Sequence, residues 1–344
     1  MTRAVKLYEW IQRVWYEDGR GGWLLVPVSL LFWLVSSVRR ALFRNRWLSV
    51  TDVGVPVIVV GNITAGGTGK TPVTIWLARQ LQARGQRVAI ISRGYGGATR
   101  ASYLRVSGDS DPAEVGDEPV LMARRSGCPV IVGSDRVAAA REAAMLEIDV
   151  LLADDGLQHY RLYRSYEICV IDGARQLGNR RLIPAGPLRE TPRRLLSVDQ
   201  VLINGQCENS RANAAQLTAL CFSLQPGDAV RLSDESRRSL SSFAGQRVTA
   251  VAGIGNPSRF FDMLRKYDIE VVEHPVADHA MANLRGIDPA LPVLMTEKDA
   301  VKRGKLPNEN CWSVPVELSL DDQLAAAWLE QLDSRLAEEK RRYG

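Results

Sequence analysis

The sequence predicts an α/β protein in which a mostly parallel sheet is flanked by helices, followed by a second, smaller α/β part. Three observations carry that expectation. Apolar runs of strand length alternate with segments of helical periodicity. One such run, Pro56 to Leu81, passes from strand to glycine-rich loop to helix. Several strand ends open into loops rich in Gly, Asp or Arg, and open α/β sheets bind ligands at the carboxyl ends of their strands.

In Pro56 to Leu81, Val57 to Val60 reads as a buried strand, Gly61 to Gly69 as the loop, and Lys70 and Thr71 as the opening of a helix. That order is the P-loop arrangement, so the fold class is P-loop NTPase-like. Gly66, Gly67 and Gly69 lack a Cβ and let backbone N–H groups turn toward a phosphate, while the helix dipole adds positive potential at the same point. Thr64, Ala65, Gly66, Gly67, Thr68, Gly69, Lys70 and Thr71 are therefore the candidate nucleotide-binding residues. Lys70 would reach the β- and γ-phosphates, and the Thr71 hydroxyl would ligate a nucleotide-bound Mg²⁺. The strict pattern places a glycine where this chain has Thr64; Gly66 and Gly67 supply the flexibility instead. The competing reading is a glycine-rich structural turn, against which the flanking strand and the apolar face of Val73, Leu77 and Leu81 both argue.

With 344 residues, 46% of them hydrophobic, the chain can bury a sizeable core. Its net charge of +5 resides entirely in residues 1–50, which hold eight Lys or Arg against three acidic residues. The basic balance therefore belongs to the N-terminus and not to a nucleic-acid-binding surface spread over the fold. Of five cysteines, none in a C-x-x-C pair, four sit in apolar or strand-like runs and read as buried thiols in a reducing cytosol, and not as a zinc site. The division expected is an N-terminal anchor over 1–45, a P-loop domain over 46–205 and a smaller α/β domain over 206–344.

The N-terminal segment holds five of the eight tryptophans, Trp10, Trp15, Trp23, Trp33 and Trp47. Gly21 to Val38 carries no charge, and Arg39, Arg40, Arg44 and Arg46 follow. Interfacial tryptophan beside clustered arginine is the composition of a segment lying on an anionic bilayer surface. The uncharged run is 18 residues, opens on Gly21-Gly22 and contains Pro27, whereas a span needs about 20 apolar residues. A monotopic anchor is expected over a span or a cleaved signal peptide; a Trp-rich helix packed on its own domain is the alternative.

Further along, a strand from Arg87 to Ser92 opens into Arg93-Gly94-Tyr95-Gly96-Gly97. Gly116-Asp117-Glu118-Pro119 starts a helix in which spacing makes Asp117 an N-cap. An apolar strand from Asp149 to Ala153 ends at Asp154-Asp155, the Walker B pattern of a carboxylate that holds Mg²⁺; His159, six residues after Ala153, reads as structural on its own. Arg180, Arg181, Arg189, Arg193 and Arg194 surround Pro184 to Glu190, either a solvated basic loop or a contact for an anionic substrate. Gly205 to Asn213 is the candidate linker. A strand around Leu217 to Leu224 opens the second part, Gly253 to Pro257 imitates a dinucleotide fingerprint whose third glycine is Ser258, Trp312 to Leu318 is the last strand, and Leu324, Trp328, Leu332 and Leu336 mark a closing amphipathic helix.

Taken together, VGNITAGGTGKTP (Val60 to Pro72), SRGYGG (Ser92 to Gly97), GDEP (Gly116 to Pro119), DDGLQH (Asp154 to His159), IPAGPLRE (Ile183 to Glu190), AGIGNPSRFF (Ala252 to Phe261), ADH (Ala277 to His279) and TEKDAVK (Thr296 to Lys302) resemble the tetraacyldisaccharide 4'-kinase family. The resemblance implies an ATP- and Mg²⁺-dependent phosphoryl transfer to the 4'-hydroxyl of a tetraacyl glucosamine disaccharide 1-phosphate in lipid A biosynthesis. It implies a peripheral enzyme on the cytoplasmic face of the inner membrane; a monomer is expected, with the lipid substrate and the membrane surface as partners and no nucleic acid. It also makes Asp117 a catalytic carboxylate paired with His279, joins Lys70 and Asp155 to the catalytic set, and gives Thr71, Asp154, Asp155 and Glu190 as metal ligands. Arg189, His159 and Arg93 fall to the substrate. The family often shows Asp-His-His where this chain has Asp278-His279-Ala280. Two other classes compete: a membrane-anchored P-loop ATPase or GTPase switch acting on a protein partner, and a Rossmann-type oxidoreductase built on Gly253 to Pro257.

Overall fold

The structure is a computed structural model that describes residues 3–17, 21–98, 101–205, 219–276, 284, 286–302 and 308–343. In chain order its elements begin with helices α1 (Arg3–Tyr16) and α2 (Val26–Arg44), strand β1 (Val57–Gly61), α3 (Lys70–Ala83), β2 (Val88–Ser92), β3 (Leu104–Val106), α4 (Pro112–Val115), α5 (Asp117–Ser126), β4 (Val130–Val132) and α6 (Arg136–Ala144). There follow β5 (Val150–Asp154), β6 (Tyr166–Asp172), β7 (Gln200–Asn204), β8 (Ala219–Pro226), β9 (Ala229–Arg231), β10 (Arg237–Arg238), β11 (Arg247–Ala252) and α7 (Pro257–Arg265). The chain closes with β12 (Glu270–Pro275), β13 (Val293–Thr296), α8 (Glu297–Val301), β14 (Cys311–Val314), β15 (Val316–Leu320) and α9 (Asp322–Lys340).

These elements form two compact units, each drawn from separated stretches: Met1–Lys70, Ala144–Ser223 and Leu320–Gly344 in the first, Thr71–Ala143 and Leu224–Ser319 in the second. In the first unit, β5, β1, β6, β7 and β8 lie side by side, each pair parallel. β1, β5, β6 and β7 are buried at every position, which is why Val57 to Val60 and Val150 to Ala153 read as unbroken apolar runs and not as alternating ones. Parallel strands need crossovers, so the loops after β1 and β5 leave the same edge of the sheet and bring the phosphate loop beside Asp154-Asp155. β8, expected to open the second part, instead pairs with β7. The closing helix α9 buries Trp328, Leu332 and Leu336, and the Trp328 indole donates to the Tyr166 hydroxyl at 3.1 Å. Leu324 stays half exposed, one turn too early to reach that core.

In the second unit, β2 pairs parallel with β4, and β3 antiparallel with β4. A separate sheet runs β10-β9-β14-β13-β11-β12, parallel among β12, β11, β13 and β14 and antiparallel at β9 and β10. Its core gathers Phe243, Phe261, Leu264 and Trp312, with Phe243 and Trp312 edge to face at 5.5 Å. The single strand expected over Trp312 to Leu318 is two strands, because Pro315 between them has no N–H to continue the ladder. Cys128, Cys169 and Cys311 are free and buried, as expected, whereas Cys221 is disulfide-bonded, against that expectation. The expected linker over Gly205 to Asn213 lies outside the described residues from 206 onward.

Candidate active site

The phosphate loop leaves β1 at Gly61 and is fastened from inside. Asn62 Nδ2 donates to Gly66 O at 3.3 Å and to Thr68 Oγ1 at 3.4 Å, and Asn204, at the end of β7, donates to Thr68 O at 3.2 Å. Gly69 sits at φ +97°, and a Cβ there would meet Asn204 Nδ2 at 2.8 Å, so that position has no room for a side chain. Thr64 and Thr68 are buried; Gly66 and Gly67 are exposed. Ala65 gives its N–H to Pro187 O at 2.7 Å, so this amide closes the loop onto Pro184 to Glu190. Thr64 bridges Leu188, and Arg189 N donates to Ile63 O at 2.7 Å, completing that junction.

Asp154 is the last residue of β5 and is 1% exposed. Asp155 follows in the left-handed region, φ +49°, a conformation Asp tolerates better than most residues. The turn directs its carboxylate to Lys70, Nζ to Oδ1 3.6 Å, and to Arg189, 3.3 Å from the same oxygen. The DDGLQH turn then ties both loops together through a residue that sequence reasoning had not singled out. Gln158 Nε2 donates to Asn62 O at 3.0 Å and to Glu190 Oε1 at 2.8 Å. His159 lies half-buried in the same turn, its N–H on Gly156 O at 2.9 Å and its carbonyl accepting from Arg164 at 2.5 Å.

Glu190, expected as a metal ligand, is engaged on both oxygens: by Gln158, by the Tyr160 hydroxyl at 2.5 Å, and by Arg194 and Arg40 at 3.5 and 3.8 Å. Burial, reinforced by the Glu190 charge, pushes the Tyr160 phenol up to about 12, which keeps it the donor. Burial alone would lower Arg194, but its hydrogen bond to Glu167 and the charges of Glu167 and Glu190 raise it instead. The other expected ligands, Thr71, Asp154 and Asp155, also carry oxygen donors, with Asp155 shared by Lys70 and Arg189. No cluster of three or more His, Cys, Asp and Glu able to hold a metal ion is found among the described residues. That donor set fits Mg²⁺, which is held by one or two carboxylates plus nucleotide phosphates and its own waters, not by an all-protein cage.

The N-terminal segment reaches this site directly. Trp15 Nε1 donates to Pro184 O at 2.9 Å, Asn179 Nδ2 to Val14 O at 2.9 Å and to Ala185 O at 2.8 Å. Ser29 on α2 donates to Leu182 O at 2.8 Å and accepts from Ala185 N at 2.9 Å. Farther along α2, Phe43 stacks on Tyr160 at 6.0 Å. The opposite face is bare: Trp23, Leu24, Leu30, Leu31, Leu34 and Val35 are all exposed by more than half. Gly22–Arg44 is 23 residues, with mean hydropathy 1.5, long and apolar enough to cross a membrane.

In the second unit, Asp117 is the first residue of α5, not its N-cap; the cap is Gly116, at φ +91° and ψ 153°. A Cβ on Gly116 would stand 2.8 Å from Tyr95 O, so the SRGYGG loop packs directly on the backbone that delivers Asp117. Arg93, at the start of that loop, is exposed. The Asp117 carboxylate is 4% exposed and accepts from Glu118 N at 2.9 Å. Lys302 and Lys298 of TEKDAVK approach its Oδ2 at 3.4 and 3.9 Å. Sequence reasoning had quoted that motif without giving the lysines a role, since no spacing rule links residues so far apart in the chain. His279 lies outside the described residues.

The model of the tetraacyldisaccharide-1-P 4'-kinase family, LpxK, matches residues 22–334. A tetraacyldisaccharide 4'-kinase of Actinobacillus succinogenes is 44% identical over 324 residues, covering 93% of this chain and 97% of that protein. One of Alkalilimnicola ehrlichii is 47% identical over 316 residues, covering 91% and 92%. The crystal structure of LpxK from Aquifex aeolicus in complex with ATP superposes with TM-score 0.76 at 28% identity, over 92% of this chain and 99% of that one. A phosphate loop closed by Lys70, an Asp pair at a later strand end and this likeness along nearly the whole chain have one meaning: the chain belongs to the tetraacyldisaccharide-1-P 4'-kinase family.

Proposed function

We infer that this protein is an ATP-dependent kinase that transfers the γ-phosphoryl group to the 4'-hydroxyl of a tetraacyl glucosamine disaccharide 1-phosphate in lipid A biosynthesis. The observation that carries the reading is the Lys70–Asp155–Arg189 cluster at the mouth of a closed phosphate loop, in a chain of this family. Phosphoryl transfer asks for positioning and charge neutralisation more than for covalent chemistry. Loop amides from Gly66 onward and Lys70 hold the triphosphate. Thr71, Asp154 and Asp155 are the residues that would hold Mg²⁺, which supplies charge neutralisation at the β- and γ-phosphates. Glu190 supports this set from behind, by orienting Gln158 and Arg194. Asp117, oriented by His279, accepts the hydroxyl proton as the sugar oxygen bonds to the γ-phosphorus and the bond to the β-phosphate breaks, releasing ADP. Arg189, His159 and Arg93 serve the anionic disaccharide.

The enzyme works as a peripheral, monotopic protein on the cytoplasmic face of the inner membrane, as a monomer, with 1–45 as anchor. Length alone would let Gly22–Arg44 span, at about 1.5 Å per residue against a hydrocarbon core of about 30 Å. What supports lying over crossing is that Ser29, Arg40 and Phe43 are all engaged with the body of the first unit. The test is transfer of labelled γ-phosphate from ATP to a tetraacyl disaccharide 1-phosphate, with a water-soluble sugar as control. Label on the lipid is expected, and Asp117→Ala should lower turnover by roughly 10² to 10⁴ while ATP still binds. Fast ATP hydrolysis indifferent to the lipid would instead favour a nucleotide switch.

A further inference from the structure

We propose that Arg175 is a catalytic residue of the transfer: its guanidinium, held at the apex of the phosphate loop, donates to an oxygen of the γ-phosphoryl group and stabilises the charge spread over that group as it moves. The inference rests on the reading of this chain as an ATP-dependent kinase. β1 has a parallel neighbour on each side, β5 and β6. The end of β5 delivers Asp154-Asp155, and the turn after β6 delivers Arg175. Asp172, the last residue of β6, bends the chain at once. Its Oδ1 accepts from Ala174 N at 2.9 Å and from Arg175 N at 3.2 Å, and Gln176 N donates to Asp172 O at 2.7 Å. Gly173 N donates to Asn204 O at 2.9 Å, and Asn204 Nδ2 also holds Thr68 O, so this turn and the phosphate loop share one support.

From that turn the half-buried Arg175 side chain reaches Gly66. Its Nη1 lies 3.7 Å from where a Cβ on Gly66 would stand, and Gly66 and Gly67 are the exposed part of the loop. The guanidinium carbon lies 5.3 Å from the centre of the Tyr16 ring, within cation–π range. Tyr16 in turn packs edge to face on Trp15, and its hydroxyl donates to Ala65 O at 3.4 Å. A planar fork stacked in this way is ordered before the nucleotide arrives, and its geometry suits phosphate oxygens. The loop does not depend on a cation for its shape, because Asn62, Asn204, Tyr16 and Pro187 already fasten it. A cation beside the loop amides and the α3 N-terminus meets positive potential, and it gains most when an anion is bound. Lys70 and Arg189 both approach Asp155, on the β5 side; Arg175 brings its charge from the β6 side. In the step itself the sugar oxygen bonds to the γ-phosphorus, the bond to the β-phosphate oxygen breaks, and the guanidinium keeps all its protons.

Full-length protein in detergent provides the test, titrated with Mg²⁺ and either ADP or the non-hydrolysable analogue AMP-PNP, and assayed for kcat with ATP and tetraacyl disaccharide 1-phosphate. Arg175→Met should weaken AMP-PNP binding by roughly 10- to 100-fold with ADP affinity unchanged, because only the former carries the γ-phosphate. It should also lower kcat by roughly 10²- to 10³-fold. Arg175→Lys, which keeps the charge without the fork, should recover part of both. Equal weakening of the two nucleotides would overturn the proposal, since a residue that merely supports the loop acts on both. A wild-type kcat or a wild-type AMP-PNP affinity in Arg175→Met would overturn it as well. Should Arg175→Met fail to fold by circular dichroism, phenylglyoxal labelling of the wild-type protein, read at Arg175 by mass spectrometry, takes its place. Stronger protection by AMP-PNP than by ADP is then expected, and equal labelling would overturn the proposal. The wild-type protein separates the two readings. If it binds AMP-PNP and labels the lipid while Arg175→Met behaves identically, the arginine's role alone is lost; if it binds neither nucleotide, the kinase reading itself is removed.

Discussion

Lys70 and Arg189 share one carboxylate, Asp155, at 3.6 and 3.3 Å. A triphosphate carries more negative charge than that carboxylate, so the lysine exchanges partners on binding and contributes a charge-assisted interaction of about 1.5–3 kcal/mol. Lys70→Ala should therefore weaken ATP binding by roughly 10- to 100-fold, read by titration with a fluorescent nucleotide; unchanged affinity would remove Lys70 from the site. Tyr160 gives a pH prediction. Its phenol is raised from 10.0 to about 12 in the folded chain by burial and by Glu190. The folded state then holds this proton more tightly than the unfolded one, so the associated stability is complete below pH 10, declines as pH rises toward 12, and is lost above that. Tyr160→Phe should flatten the fall in denaturation midpoint expected of the parent protein between pH 10.0 and about 12, and an equally steep fall in both would contradict the assignment. The types of these residues were legible in the chain, and their partners were not. Gln158 and Lys302 make their decisive contacts with residues 96 and 185 positions away, Asn62 and Asp117, beyond the reach of any periodicity.

At the scale of elements, the N-terminal helices do more than present an apolar face. The Ser29 hydroxyl satisfies both Leu182 O and Ala185 N, and the loop it holds continues to Pro187, which receives the Ala65 amide of the phosphate loop. A fastening of this kind ties the N-terminal helices to the phosphate loop by way of the Leu182 to Pro187 segment. Ser29→Ala leaves the Ala185 N–H without its partner, while Leu182 O keeps the Gly186 N–H, at a cost of about 1–3 kcal/mol. The expected outcome is a lower midpoint in urea with a several-fold weaker ATP affinity; a lower midpoint with unchanged affinity would show a fastening without coupling. Strands and helices were well read from the sequence wherever apolar runs were long: β1, α3, β5 and α9 all lie where the pattern put them. The pattern failed where a backbone detail decided. Gly116, not Asp117, caps α5, because the chain enters the helix at a positive φ that only glycine takes without strain. Pro315 likewise divided the last strand.

At the scale of the whole molecule, the apolar face of Gly22–Arg44 and its following arginines predict binding to vesicles containing anionic lipid. Sedimentation with such vesicles should fall when residues 1–45 are removed; equal sedimentation would refute the anchor. Kinase activity should depend on the lipid acceptor, with little hydrolysis of ATP in its absence. By itself the sequence determined the chemistry to be expected: a phosphate loop after a buried strand, an Asp pair at a later strand end, a tryptophan- and arginine-rich N-terminus, and a set of motifs that resembles a single kinase family. Those are local properties, set by backbone freedom, side-chain type and the period of apolar residues, and a linear chain displays them. Tertiary structure alone decided that β8 completes the first sheet beside β7, that the two compact units interleave along the chain, that Glu190 is enclosed by Tyr160, Gln158 and Arg194, and that Lys302 stands between Asp299 and Asp117. The physical reason is that ion pairing and burial depend on distance in space, and the parallel crossovers of this fold bring together residues whose separation along the chain carries no trace of that proximity.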